Sequence, residues 1–313
     1  MHKELLLDSH RRILPHIHRT PIFSSRLINK IVNADIVFKC ENFQRGGSFK
    51  ARGATNAILS LTEEQKSQGV VTHSSGNFAQ ALSLAAGRIG VKAYIVMPST
   101  APLVKKDAVL EYGGEIIECK PTLSARENEA HRIVEEKGAT FIHPSNDMDV
   151  IIGQGTACLE LLEEEPGLDY VVAPVGGGGL IGGTSLAAYY FGNGCKVVGG
   201  EPMEVDDAYR SLQSGYIESN ETTDTIADGL KTQLGDKNFP IIQKYVERIV
   251  LVTEPQIIEA MHLVWERMKI VVEPSSAVAL AAVLKDKPRF EKQKVGVVLS
   301  GGNVDFKAVG RFQ

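Results

Sequence analysis

Cysteine is scarce in this chain: there are four, Cys40, Cys119, Cys158 and Cys195, with no CxxC pair and no metal-finger spacing. That excludes a disulfide framework and a zinc module, and leaves the thiols as small buried apolar groups in a reducing compartment. Positive charge is not in excess either. Lys and Arg total 34 against 38 Asp and Glu, a formal net charge of -4, so no basic field exists to hold nucleic acid or an anionic membrane. Long apolar runs are missing too. The one uncharged stretch of spanning length, 170–195, holds eight glycines and makes a poor lipid-facing helix. The first twenty residues carry charges throughout, so no secretory leader is visible and a cytoplasmic protein is expected. Fixed-period repeats and low-complexity linkers are also absent, which leaves a string of separate modules without support.

What is present is enough apolar material to build a core. At 313 residues, 43% hydrophobic and 23% charged, the chain suits one large or two interlocked domains. Apolar β-branched runs alternate with helix-period stretches almost to the end, the pattern of an α/β protein with doubly wound, mostly parallel sheets. The expected strands are 36–39, 70–72, 93–97, 115–119, 140–142, 170–175, 197–201 and 294–299. The expected helices are 51–61, 78–89, 103–112, 125–137, 151–164, 180–191, 255–268 and 276–284. The series at 69–146 reads as a small domain inserted into a large one made of 1–68 and 147–313.

Several segments could carry chemistry. In Gly47-Ser48-Phe49-Lys50-Ala51-Arg52, a glycine turn leads into a helix with a lysine in its first turn. There the macrodipole disfavours the ammonium form, and a free amine can form a Schiff base; taken alone, the segment fits a plain surface lysine on an amphipathic helix better. Ser74-Ser75-Gly76-Asn77 ends a strand where a helix begins, a place for a carboxylate or phosphate, or an ordinary capping turn. The run Gly176-Gly177-Gly178-Gly179-Leu180 joins a strand to a helix and lets backbone amides wrap a phosphate. Its rival reading is a dinucleotide fingerprint in Gly177, Gly179 and Gly182, with Glu201 following 19 residues later as the ribose acid. Ser300 ends another strand, and the acidic stretch 201–207 offers oxygen ligands for a hard cation or is a solvated loop.

In order along the chain, GSFKARGA, SSGN, GQGT, GGGG, IADG, EPSSAV and SGGNVD resemble the pyridoxal-phosphate enzymes of the tryptophan synthase β superfamily, fold type II. More narrowly they resemble the serine racemase and threonine/serine dehydratase family, from about His18 to Asp305. The resemblance implies that Lys50 holds pyridoxal 5'-phosphate with Phe49 against the ring, and that Asn77 bonds the ring hydroxyl. It implies that Gly176, Gly177, Gly178, Gly179 and Leu180 give amides to the phosphate, and that Ser300 faces the pyridine nitrogen. A neutral serine there favours fast loss of a β-substituent over a long-lived carbanion. Ser74, Ser75 and Asn77 would take the substrate carboxylate, with Gly229 of IADG beside it. Ser75 would be the acid or base opposite Lys50, and Arg126 would meet a second carboxylate. Glu201, the Val205 carbonyl and Asp207 match a divalent-cation site for magnesium, calcium or manganese.

The activity so implied is β-elimination on serine, threonine or 3-hydroxyaspartate, giving a 2-oxo acid and ammonia, with racemisation beside it or in its place. A homodimer is the family expectation, and the resemblance leaves room for a nucleotide effector near Ser24 and Ser25. Three departures stand out: Phe78 replaces the usual histidine after SSGN, Gly46 replaces a threonine, and Arg26 differs from the nucleotide-binding pattern. Two readings from other classes remain, a nicotinamide-dependent oxidoreductase and a catalytically silent amino-acid-binding protein.

Overall fold

The structure is a computed structural model that describes residues 2–305; the ends of the expected large domain beyond these lie outside the described residues. The apolar β-branched runs form strands because such side chains fit a pleat covered on both faces. Among the described residues the strands are β1 (Ile22–Ser24), β2 (Asp35–Cys40), β3 (Val70–His73), β4 (Ala93–Pro98), β5 (Glu115–Cys119), β6 (Thr140–Phe141), β7 (Tyr170–Pro174), β8 (Lys196–Pro202), β9 (Val246–Val252) and β10 (Lys294–Leu299). They make a six-stranded sheet in the order β1-β2-β10-β7-β8-β9 and a four-stranded sheet in the order β5-β4-β3-β6. Only β1 with β2 is antiparallel; the other pairings run parallel.

Helices cover both faces of each sheet. Helices Glu254–Met268 and Pro274–Lys285 bury one face of the larger sheet, and helices Met148–Glu164 and Gly179–Phe191 bury the other. Helix Asn77–Ile89 covers one side of the smaller sheet and helix Leu123–Lys137 the opposite side. Helix Lys50–Ser60 packs on both Met148–Glu164 and Asn77–Ile89. That contact depends on glycine: a Cβ on Gly153 would stand 2.7 Å from the Gly53 Cα. Strands β3, β7 and β10 run out at Ser74, Val175 and Ser300, and crevices beyond the carboxyl ends of parallel strands are where α/β proteins bind ligands.

Every expected strand and helix is present, with ends displaced by three residues or fewer. The expectation omits β1, β9 and several shorter helices, Glu4–Ile13, Arg26–Val32 and Asp207–Ser214 among them. In β9 the outward Glu247 and Arg248 interrupt the apolar run, so the strand hides from a search for continuous hydrophobicity. All four cysteines are free, yet only Cys40 and Cys158 are buried; Cys119 and Cys195 are partly exposed, a correction to the expected burial.

Candidate active site

Lys50 is placed by stitching between its own turn and the end of β10. Gly46 and Gly47 take left-handed φ values of 66° and 72°, which turn the chain sharply after β2. The Phe49 amide donates to the Ser300 carbonyl at 3.0 Å, and the Gly302 amide to the Gly47 carbonyl at 2.9 Å. Lys50 then opens its helix, and its Nζ donates to the Pro144 carbonyl at 2.9 Å. The same nitrogen lies 5.0 Å from the Phe49 ring centre and 5.6 Å from that of Phe78. Burial pushes the amine down from 10.5 to about 8, against the opposing pull of the Glu273 carboxylate. The direction is the one expected from the sequence, and desolvation is the larger cause.

Asn77 begins helix Asn77–Ile89 and faces the other sheet. Its Nδ2 donates to Glu273 Oε1 and Oε2 at 2.9 and 3.1 Å, and its Oδ1 accepts from Asn303 Nδ2 at 3.0 Å. Ser74 and Ser75 are partly buried in the turn before it, and a Cβ built on Gly76 would meet nothing within 4 Å. Open space therefore lies beside a helix N-terminus.

The glycine run is walled in. A Cβ on Gly176 would stand 2.7 Å from the Leu230 Cα, and one on Gly177 would stand 2.4 Å from Ser145 Oγ. Gly178 has φ +80°, and its Cβ would strike Asn238. Asn238 Nδ2 ties the Gly177 carbonyl at 2.8 Å to the Ser145 carbonyl at 3.1 Å, one residue beyond the carbonyl that Lys50 reaches. The helix starting at Gly179 leaves its first amides without intrahelical acceptors. A loop in which no side chain fits, with free amides next to a part-buried amine, suits a phosphorylated aldehyde.

The other expected residues fall at different places. Ser300 is 2% exposed and adjoins the Lys50 turn. The Gly229 amide donates to Ser275 Oγ at 3.0 Å, and a Cβ on Gly229 would stand 4.0 Å from Glu273 Oε1. Arg126 lies on helix Leu123–Lys137, where its charge adds to burial in pushing the His73 imidazole down; no hydrogen bond joins it to Lys50 or Asn77. Glu201 accepts the amides of Ala208 and Tyr209 at 2.9 and 2.8 Å and is fully buried. Both its oxygens thereby cap the helix that begins at Asp207, and full burial keeps the carboxylate from an incoming ribose, which removes the dinucleotide reading. Asp207 Oδ2 accepts the Leu234 amide at 2.9 Å, while its buried Oδ1 makes no hydrogen bond of ordinary geometry, with the Asn220 side chain near enough to favour the ionised carboxylate. Among the described residues no three His, Cys, Asp or Glu side chains gather as metal ligands, so a cation here would rest on these two carboxylates, the Val205 carbonyl and water.

Sequence reasoning missed Glu273, Asn303 and the 143–146 segment. His143 Nδ1 accepts the Ser145 and Asn146 amides at 3.2 and 2.8 Å, and burial, with the charges of His73 and Lys50, pushes that imidazole down to about 4. A polar HPSN stretch directly after an expected strand was the available signal.

Comparison with known proteins places the chain in a family. A family model described as pyridoxal-phosphate dependent enzyme matches residues 13–301. The chain is similar to a serine racemase of Dictyostelium discoideum, 49% identical over 308 residues that span 97% of this chain and 95% of that protein. It is also similar to a beta-hydroxyaspartate dehydratase of Paracoccus denitrificans (strain Pd 1222), 48% identical over 302 residues that span 96% of each. The solved structure of a threonine deaminase from T.th. matches with a TM-score of 0.92 at 42% identity, covering 98% of this chain and 99% of that one.

Proposed function

Since the chain belongs to the pyridoxal-phosphate dependent enzyme family, we propose that it eliminates the β-hydroxyl of a small 3-hydroxy amino acid, with Lys50 as the amine that holds the cofactor and moves the α-proton. The observation that carries this reading is the Lys50 amine, held beside the Pro144 carbonyl and depressed to about 8 by burial. When bound, pyridoxal phosphate supplies an aldehyde for that amine and a sink for the electrons left at Cα.

The chain's own residues do the rest. Gly176 to Gly179 and Leu180 hold the phosphate by their amides, and Ser300 offers a neutral hydroxyl to the ring nitrogen. Ser74, Ser75 and Asn77 bind the substrate carboxylate at their helix N-terminus, with Gly229 across the cleft. Lys50 Nζ takes the proton from Cα, and the β-hydroxyl leaves with a proton as water. The enamine set free tautomerises and hydrolyses to a 2-oxo acid and ammonia. Ser75, on the face opposite Lys50, returns a proton to Cα in a fraction of turnovers, so racemisation accompanies elimination.

Two features support the remaining assignments. The buried Asp207 Oδ1, which makes no hydrogen bond of ordinary geometry, fits an oxygen-bound cation held with Glu201 and Val205. Phe23 and Phe43 meet edge to face at 6.0 Å and stay 40% and 44% exposed on edge strand β1 and the turn after β2. Leu27, 55% exposed, lies on the helix that follows β1; such a face fits a homodimer. Residues 69–146 act as a small domain that closes on the substrate. No helix among the described residues is long and apolar enough to cross a membrane.

Proton NMR in deuterated water with L-serine, L-threonine and L-threo-3-hydroxyaspartate in separate tubes tests the reading. Growth of a 2-oxo acid is expected. Exchange at Cα without an oxo acid would make racemisation the main activity, and ligand binding without either would mark a silent binding protein.

A further inference from the structure

Glu273 is a buried carboxylate for which the elimination has no use, although it touches the centre of the site. It is 4% exposed, and a Cβ on Gly301 would stand 2.9 Å from its Oε1. An asparagine amide has the same shape either way round, so its partners decide which end is which. Here one backbone carbonyl decides. Gly46 O can only accept, so the atom of Asn303 that meets it at 2.8 Å must be Nδ2. That nitrogen also reaches Asn77 at 3.0 Å, so the Asn77 atom facing it is Oδ1. The other end of Asn77, Nδ2, then donates to Glu273. Both carboxylate oxygens lie on one side of that nitrogen, so one hydrogen serves them and the second remains for a ligand.

From this chain of donors we infer that Glu273 and Asn303 are positioning residues that lock Asn77 with its remaining N–H, rather than its carbonyl, presented to the ring oxygen of the cofactor. The inference rests on the proposed cofactor site and deepens it. A fixed donor stabilises the ring oxygen in its ionised form, and a flipped amide would set two oxygens against each other.

The lock is a good one only while Glu273 is ionised. Several groups face it: Asp228 from the turn that carries Gly229, Lys105 from helix Leu103–Glu111, the Lys50 amine, the Asn77 amide and the backbone amide of Asn303. Burial, followed by the Asp228 charge, pushes the Glu273 carboxyl up to about 7, against Asn77, Lys105 and Asn303. As pH falls through that value the carboxylate gains a proton, its pull on Asn77 Nδ2 weakens, and the ring oxygen loses its fixed donor.

The test is the absorption spectrum of the holoprotein across pH, which reports the ionisation of the ring oxygen as the ratio of its two bands. Wild type should show a step near neutrality. Glu273→Gln should lose that step, Glu273→Asp should restore one, and Asn303→Asp, at an exposed position that tolerates change, should alter the ratio while keeping the step. A Glu273→Gln protein with the wild-type ratio and step at every pH overturns the inference, as does an unchanged ratio in Asn303→Asp should the first variant not fold. If borohydride reduction of wild type leaves Lys50 unlabelled, the cofactor site itself is wrong and the inference falls with it; labelled Lys50 with unaffected variants refutes the positioning role alone.

Discussion

Arg52 and Glu160 form a buried fork, with Nη1 donating to Oε1 at 2.9 Å and Nη2 to Oε2 at 2.8 Å, and neither side chain exposed. The same guanidinium reaches Glu41 through Nε at 2.7 Å and Nη2 at 2.8 Å. Lys39 adds a bond to Glu160 at 2.7 Å and His10 another at 3.1 Å. Burial alone would raise the Glu160 carboxyl, but these bonds and charges hold it well below the usual carboxylate range. The network ties the end of β2 to the helix that begins at Lys50, so it sets where the reactive amine stands.

Removing the guanidinium should leave Glu41 buried without a counter-charge, while Glu160 keeps only Lys39 as its buried cation. Arg52→Leu is expected to cost about 3–5 kcal/mol of stability, the range for breaking one side of a buried ion pair. Urea unfolding checks it. A loss below about 1 kcal/mol, the ordinary worth of an exposed pair, would mean that the network relaxes or admits water.

Lys50 should behave as an unusually acidic amine. In cofactor-free protein the rate of capture of added pyridoxal phosphate should rise with pH through a midpoint of about 8 instead of 10.5, with Lys50→Ala as the blank. The shift has a stability counterpart. Between about 8 and 10.5 the unfolded chain holds a proton that the fold does not, so folding should gain stability as pH rises across that window. A capture midpoint near 10.5 would show that water reaches the amine past Phe49 and Phe78.

The strands were readable because β-branched runs such as those of β7 and β10 need burial on both faces, and few other structures supply it. The Lys50 turn and the glycine run were readable for a similar reason: small residues in those patterns make room for backbone. Glu273 was not. EPSSAV shows an acid ahead of a helix, and only the approach of Asn77, distant by 196 positions, turns that acid into part of the site. The lowering of Lys50 has the direction expected from its place at a helix start, while the desolvation that adds to it comes from tertiary packing and has no signal in the local sequence.

The acidic site near β8 should respond to metal without a change in chemistry. Adding magnesium to chelator-treated protein is expected to raise the melting temperature, by an amount that corresponds to about 2.7 kcal/mol when the ion is roughly a hundredfold above its Kd. Asp207→Asn should abolish the response, because it removes the charge beside the buried Oδ1 that makes no hydrogen bond of ordinary geometry. Equal melting curves with and without magnesium would remove the cation from the account.

Arg126 is a test of substrate choice. If its guanidinium meets a second carboxylate, Arg126→Ala should lower kcat/KM for hydroxyaspartate by about 2–3 kcal/mol more than for serine, the worth of a charge-assisted bond. Steady-state rates on both substrates decide it. An equal loss on the two would assign Arg126 to the fold of helix Leu123–Lys137, where its charge already acts on His73.

Lys105 and Asp228 meet at 2.6 Å, and of the ion pairs made by residues 69–146 among the described residues, this one alone reaches the rest of the chain. The partners are 29% and 51% exposed, so the pair should add only about 0–1 kcal/mol to stability. Its position matters more, because Asp228 adjoins Gly229 and the pair joins helix Leu103–Glu111 to the turn that carries it. Lys105→Met should therefore leave the melting temperature nearly unchanged while raising KM roughly fivefold, the equivalent of about 1 kcal/mol. Added salt should move wild type toward the variant, since screening weakens an exposed pair and leaves the buried Asn77–Glu273 contact intact. A variant with wild-type KM at low salt would show that this pair takes no part in binding the substrate.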